Sequence, residues 1–255
     1  ESVPLGVREY YFTGGEPFLH PRIVDILSLA LSYGPTTVLT NGTLLKPRHL
    51  EPLAAAAAAS RWSLEFRLSL DGFDAISNDV LRGAGSFERA MDGLELLLRH
   101  GFLPIVTIVR TWDPEADPVI YERFVAELAA RGCTRPRIKT MPALRIGCEA
   151  ERAGGYREYE RVTDEMLEGY DLDQFVCAHS RVVTDHGIWV CPILLDAQDG
   201  DLGDDLGRAA RAPYALAHGA CHTCWLHGAI CENPGAGAPE TGAPAGTVAP
   251  AGEVG

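Results

Sequence analysis

Between residues 7 and 145 short β-favouring runs alternate with amphipathic helical runs, and this alternation restricts the fold more than any other feature of the chain. The strand candidates are Glu9 to Thr13, Thr36 to Thr40, Glu65 to Leu70, Leu103 to Val109 and Arg137 to Met141. Helices are expected between them at Pro21 to Tyr33, Pro47 to Ala59, Ser86 to His100 and Pro118 to Arg131. The boundaries have chemical reasons. Ser86 can cap a helix whose apolar residues Phe87, Ala90, Met91, Leu94, Leu97 and Leu98 share one face, and Gly101 can end it. Asp117 is a cap before a first-turn proline, and Gly132 closes that helix. Strands spaced by helices imply right-handed βαβ units and a parallel sheet, so the expected class is α/β.

In such sheets ligands gather where the strands deliver their carboxyl ends. The first end reads Thr13-Gly14-Gly15-Glu16-Pro17, and the second Thr40-Asn41-Gly42-Thr43. The third is Ser69-Leu70-Asp71-Gly72 and the fourth Val109-Arg110-Thr111. Singly, Gly-Gly, Asn-Gly and Asp-Gly read as plain turns. Together on one rim they make a polar pocket suited to a small amphoteric ligand.

Composition excludes some partners. A chain of 255 residues can bury a full core as one domain or as one domain plus a small appendage. The net charge of −13 argues against nucleic acid, whose phosphates need a basic face. No apolar run approaches the length of a membrane span, so no membrane partner is expected. Five of the seven cysteines, Cys177, Cys191, Cys221, Cys224 and Cys231, fall in one fifth of the chain. Their odd total and a C-x-x-C spacing point to metal ligation in a reducing, cytoplasmic setting. The sequence starts on Glu1 without a signal-peptide pattern and is expected to begin inside a longer protein.

The series Gly14-Gly15-Glu16-Pro17, Thr40-Asn41-Gly42, Ser69-Leu70-Asp71-Gly72 and Arg82-Gly83-x-Gly85-Ser86-Phe87 resembles radical S-adenosylmethionine (SAM) enzymes. The likeness is to the peptide- and protein-modifying branch with a cysteine-rich extension. It implies a partial (β/α)6 TIM-like parallel barrel in residues 1–150, followed by a small cysteine-rich β-hairpin/helix module in 151–232. It also implies that Gly14, Gly15 and Glu16 receive the ammonium of SAM, that Ser69 or Asp71 contacts its ribose or carboxylate, and that Arg110 pairs with its carboxylate; Asn41 belongs to the same cofactor rim. The C-x-x-x-C-x-x-C loop that carries the radical SAM 4Fe-4S cluster in that family is missing from this sequence, and is expected upstream.

Downstream, residues alternating on either side of His186-Gly187 read as a β-hairpin that brings Cys177 and Cys191 together. Cys221 and Cys224 form a chelating turn, with Cys231 as a further thiolate. His227 could complete a Cys3His zinc site with Cys221, Cys224 and Cys231. The family resemblance instead implies a SPASM- or twitch-like extension holding one auxiliary 4Fe-4S cluster on four of the five cysteines. A packing helix is expected at Tyr156 to Tyr170, buried non-ligating thiols at Cys133 and Cys148, a solvated loop at Asp196 to Asp205, and a disordered Gly/Ala/Pro tail at 233–255. The function implied is part of an enzyme that generates a 5′-deoxyadenosyl radical to modify a peptide or protein, fed by an electron donor such as flavodoxin or ferredoxin. The alternative is a non-catalytic peptide-binding protein with a structural zinc or iron-sulfur site.

Overall fold

The computed structural model describes residues 1–195 and 197–228, so Asp196, Cys231 and the tail expected to be disordered lie outside the described residues. The chain divides into two compact units, Glu1–Ala143 and Leu144–Gly255.

The first unit carries β1 (Tyr10–Phe12), α1 (Ile23–Leu31), β2 (Thr36–Thr40), α2 (Pro47–Ala59) and β3 (Leu64–Ser69). Two helices, α3 (Ala75–Arg82) and α4 (Ser86–Arg99), then precede β4 (Ile105–Arg110), α5 (Asp117–Ala130) and β5 (Arg137–Pro142). All strand pairs are parallel and the sheet order is β1-β2-β3-β4-β5. The α/β expectation holds, with each strand within a few residues of its place in the sequence pattern.

Helix α3 has no counterpart in that pattern. A capping box starts it: the Asp74 carboxylate accepts from the Ser77 amide at 2.8 Å, while the Ser77 hydroxyl faces the Asp74 amide at 3.4 Å. The helix is only eight residues long, and its Ile76 and Val80, four residues apart on one face, are exposed. The next helix is tied to it by Asp79, which accepts from the Gly85 amide (2.5 Å), the Phe87 amide (2.9 Å) and the Ser86 hydroxyl (3.0 Å). That carboxylate satisfies amides the start of α4 would otherwise leave open.

The period of two along each strand divides the sheet into two faces. Val38, Leu64 and Phe66 join Leu27, Leu31, Leu50 and Leu53 in one core cluster, and Leu68, Val106 and Ile108 join Met91, Leu94 and Phe124 in a second. This face is closed by the helices, and hydrophobic burial there is the main force holding strands to helices. The other face carries Tyr11, Thr37, Arg67, Ser69, Thr107 and Lys139.

In the second unit a run of short elements follows: α6 (Gly147–Ala153), α7 (Asp164–Leu167), α8 (Val176–His179), β6 (Val182–Thr184), β7 (Gly187–Trp189), α9 (Leu206–Arg211) and α10 (Gly219–His227). The expected hairpin is present, with Val182 opposite Trp189 and a two-residue turn at Asp185-His186. The expected helix at Tyr156 to Tyr170 is corrected: only Asp164–Leu167 is helical. Before it the backbone is held open by an ion pair between Arg145 and Glu160 and by the Arg157 amide donating to Glu160 at 2.8 Å. Tyr156 turns instead to Thr223, its hydroxyl 2.7 Å from the threonine hydroxyl, while Tyr159 is exposed. Cys133 is buried in the first unit's core as expected, but Cys148 is exposed on α6. Among the described residues no helix is long and apolar enough to cross a membrane.

Candidate functional site: the strand rim and the cysteine cavity

Parallel pairing in sequential order brings the carboxyl ends of the strands to one edge of the sheet. At the first, Gly14 has φ +148°, a conformation L side chains rarely adopt, and a Cβ added at Gly14 or Gly15 would meet no atom within 4 Å. The turn is exposed, so its backbone is open to an incoming group.

Glu16, by contrast, is buried. One carboxylate oxygen accepts from the Phe18 amide at 3.0 Å and the Thr40 hydroxyl at 2.8 Å. The other accepts from the Asn41 amide at 2.8 Å. The Glu16 side chain therefore joins the first strand end to the second. Asn41 in turn folds its own turn, its side-chain oxygen accepting from the Thr43 amide at 2.9 Å and the Thr43 hydroxyl at 2.7 Å. Gly42, at φ +76°, lies so close to α4 that a Cβ on Gly93 would collide with the Gly42 carbonyl.

Asp71 behaves like Glu16. It accepts from the Val109 amide at 3.2 Å, linking the third strand end to the fourth, and its other oxygen lies 2.7 Å from Arg82 Nε in an ion pair that lacks hydrogen-bond alignment. Ser69 ends β3 opposite Thr107. Arg110 ends β4 and shares the strand parity of Val106 and Ile108, which face the helices. Its guanidinium pairs with Asp117 at 3.1 Å, and Asp117 also accepts from the Trp112 indole at 2.7 Å.

Sequence reasoning passed over the polar face of the sheet. Arg67 is 1% exposed, with its guanidinium carbon 5.4 Å from the centroid of the Tyr11 ring. Ser69, Thr107 and Lys139 stand in register on three neighbouring strands, and the Thr107 hydroxyl is buried with no hydrogen-bond partner among the described residues. The signal was available in β3 itself, whose Leu-Glu-Phe-Arg-Leu-Ser puts every polar residue on one side.

In the second unit Cys177, Cys191, Cys221 and Cys224 line one cavity of about 20 Å³ together with Phe175, Val176, Val190, Leu194, Leu216 and Tyr214. Cys177 comes from α8, and Cys191 from just past the hairpin. The C-x-x-C pair lies on α10, not on a turn; the i, i+3 spacing of a helix sets Cys221 and Cys224 on one face. All four are buried. Burial pushes the Cys177 and Cys191 thiols up, and Cys221 up to about 11. Burial is also the main reason the Tyr214 phenol is pushed up to about 12, followed by its contact with Cys177. No three His, Cys, Asp or Glu side chains among the described residues are arranged around a single metal ion.

Residues 1–114 match the Radical SAM superfamily. The AdoMet-dependent heme synthase of Methanosarcina barkeri is 36% identical over 104 residues, which is 40% of this chain and 28% of that protein. The mycofactocin maturase MftC of Mycobacterium tuberculosis is 32% identical over 173 residues, 67% of this chain and 40% of that one. Among solved structures, Streptococcus suis SuiB bound to its precursor peptide SuiA superimposes with a TM-score of 0.58 at 18% identity, covering 86% of this chain and 60% of that one. The chain thus spans well under two thirds of the length of these curated relatives. Its sequential parallel sheet with glycine-bearing turns at the strand ends, and the match over residues 1–114, make this chain a member of the radical SAM superfamily.

Proposed function

We propose that this chain is the cofactor rim and auxiliary-cluster part of a radical SAM enzyme that modifies a peptide or protein. The observation that carries the reading is the coexistence of an open Gly14-Gly15 backbone at the strand rim with four buried cysteines around one apolar cavity. MftC is a maturase and SuiB is seen with a precursor peptide, and these two support a peptide substrate. With its iron-sulfur cluster reduced, bound SAM supplies a 5′-deoxyadenosyl radical that abstracts hydrogen.

The residues present fit SAM at the rim. The Gly14 and Gly15 carbonyls can approach an ammonium group because no side chain shields them. Glu16 acts on that group by fixing the turn, since three donors already occupy its carboxylate. Asp71 does the same between the third and fourth ends, and Ser69, free of either tie, is the hydroxyl best kept for the ribose. Arg110 can reach a methionine carboxylate only by sharing or leaving Asp117.

The cavity suits a thiolate-held group. Its donors are all sulfur, and the lining is otherwise almost wholly apolar. A single zinc would draw four sulfurs to about 2.3 Å from one centre. A four-iron cube instead takes each thiolate on its own corner, and membership of the radical SAM superfamily favours it. Cys177, Cys191, Cys221 and Cys224 would be its ligands, leaving Cys231 and the Cys3His alternative with His227 unused. Anaerobic reconstitution followed by iron and labile-sulfide analysis is the test: bound zinc without sulfide refutes the cluster. For the whole reaction, the upstream reading frame must supply a C-x-x-x-C-x-x-C segment, and the complete protein must release 5′-deoxyadenosine from SAM under a flavodoxin or ferredoxin reductant.

A further inference from the structure

Among the described residues that line the cysteine cavity, Tyr214 is the one side chain other than the cysteines that carries a polar atom. Its phenol lines that cavity together with the Cys177 thiol. Two features show that the phenol is held in place. The Arg181 guanidinium carbon lies 5.5 Å from the centroid of the Tyr214 ring, covering one face. That guanidinium is itself fixed by four backbone carbonyls: Ala209 at 2.8 Å, Cys177 at 2.6 Å, Ser180 at 2.7 Å and Ala212 at 3.1 Å. A side chain so anchored loses little further freedom when it makes its hydrogen bond.

We infer that Tyr214 donates a hydrogen bond to the Cys177 sulfur of the auxiliary cluster and raises the reduction potential of that cluster, with Arg181 as the residue that positions it. The inference rests on the reading of the four cysteines as cluster ligands. The physics is direct. A phenol is protonated at neutral pH and offers one O–H donor. The reduced cluster carries one more negative charge than the oxidised one, so a donor to a ligating sulfur stabilises the reduced form more, and in an apolar lining that difference is little screened by water. A hydrogen bond formed here acts on the redox balance, whereas a purely structural tyrosine would be indifferent to the electron count.

The experiment compares the reconstituted full chain with Tyr214→Phe and with 3-fluorotyrosine introduced at position 214, a phenol of nearly the same size and greater acidity. Iron and labile sulfide are measured first, and then the midpoint potential is found by following the EPR signal of the reduced cluster during a dithionite titration. Equal iron and sulfide in all three, with the Phe variant more negative and the fluorotyrosine variant more positive than the native chain, supports the assignment. Equal loading with an unchanged potential in both variants overturns it. If the Phe variant fails to load, the fluorotyrosine variant decides alone by the same criterion. A native chain that takes up no labile sulfide overturns the cluster reading itself, and it does so before any substitution is made.

Discussion

The strand rim and the cysteine cavity treat their polar groups in opposite ways. At the rim the carboxylates are already occupied: Glu16 serves three donors and Asp71 serves the Val109 amide and Arg82. What the rim leaves open is backbone, at Gly14 and Gly15. In the cavity four thiols and one phenol are enclosed by apolar side chains. A binding edge that must accept an ammonium from solvent benefits from rigid, satisfied turns. A site that holds a sulfur-ligated metal group benefits from a dry lining, where thiols stay neutral until a metal displaces their protons.

The contrast predicts unequal responses to substitution. The largest effect belongs to the cavity: Cys191→Ser in the reconstituted chain should bring labile sulfide down to background, and retention of native sulfide would remove Cys191 from the donor set. Next is Glu16→Gln. An amide NH2 would face either the Asn41 amide or the Phe18 amide, leaving a buried donor unmatched, so unit stability by urea unfolding should fall by about 2–3 kcal/mol. A loss well under about 1 kcal/mol would mean that Glu16 is not the pin between the first two strand ends.

Asp79→Asn sharpens the comparison away from both sites. Accepting the Phe87 amide is the chief reason the Asp79 carboxyl is held below the usual carboxylate range. A folded-state value below the unfolded one means that its stabilisation is full above the unfolded value and is lost as pH falls through the folded one. The variant should therefore melt at lower temperature near neutrality, and the gap from the native chain should close in acid. A gap independent of pH would assign the effect to packing. The smallest effect is expected of Arg110→Lys. Its pair with Asp117 is part-exposed and worth under about 1 kcal/mol in unfolding. Any larger drop, seen in SAM affinity by calorimetry on the complete protein, would then report a contact with the cofactor.

Much of the fold could be read directly. Five strands, four of the helices and the hairpin follow from period and caps, because each is decided by neighbours within a few residues. Helix α3 escaped because it is only eight residues long and its local signal is a capping box, Asp74 with Ser77, rather than a long apolar face. The helix expected through Tyr156 failed for the opposite reason. A plausible apolar face was outweighed by distant partners, Arg145 for Glu160 and Thr223 for Tyr156. At the candidate site the residue types were legible, but their local partners were not: the Glu16 carboxylate, expected at the cofactor, also accepts from the Phe18 and Asn41 amides and the Thr40 hydroxyl.

By itself the sequence determined the α/β class, the order of the glycine-bearing strand ends and the clustering of thiols, since these depend on local period, turn chemistry and composition. Only the tertiary structure decided which polar atoms remain available. Whether a carboxylate meets a ligand or an amide, and whether Cys177, Cys191, Cys221 and Cys224 share one cavity, depends on groups up to 47 positions apart being packed together. That packing is set by the burial of apolar side chains across the whole unit, which no local pattern encodes.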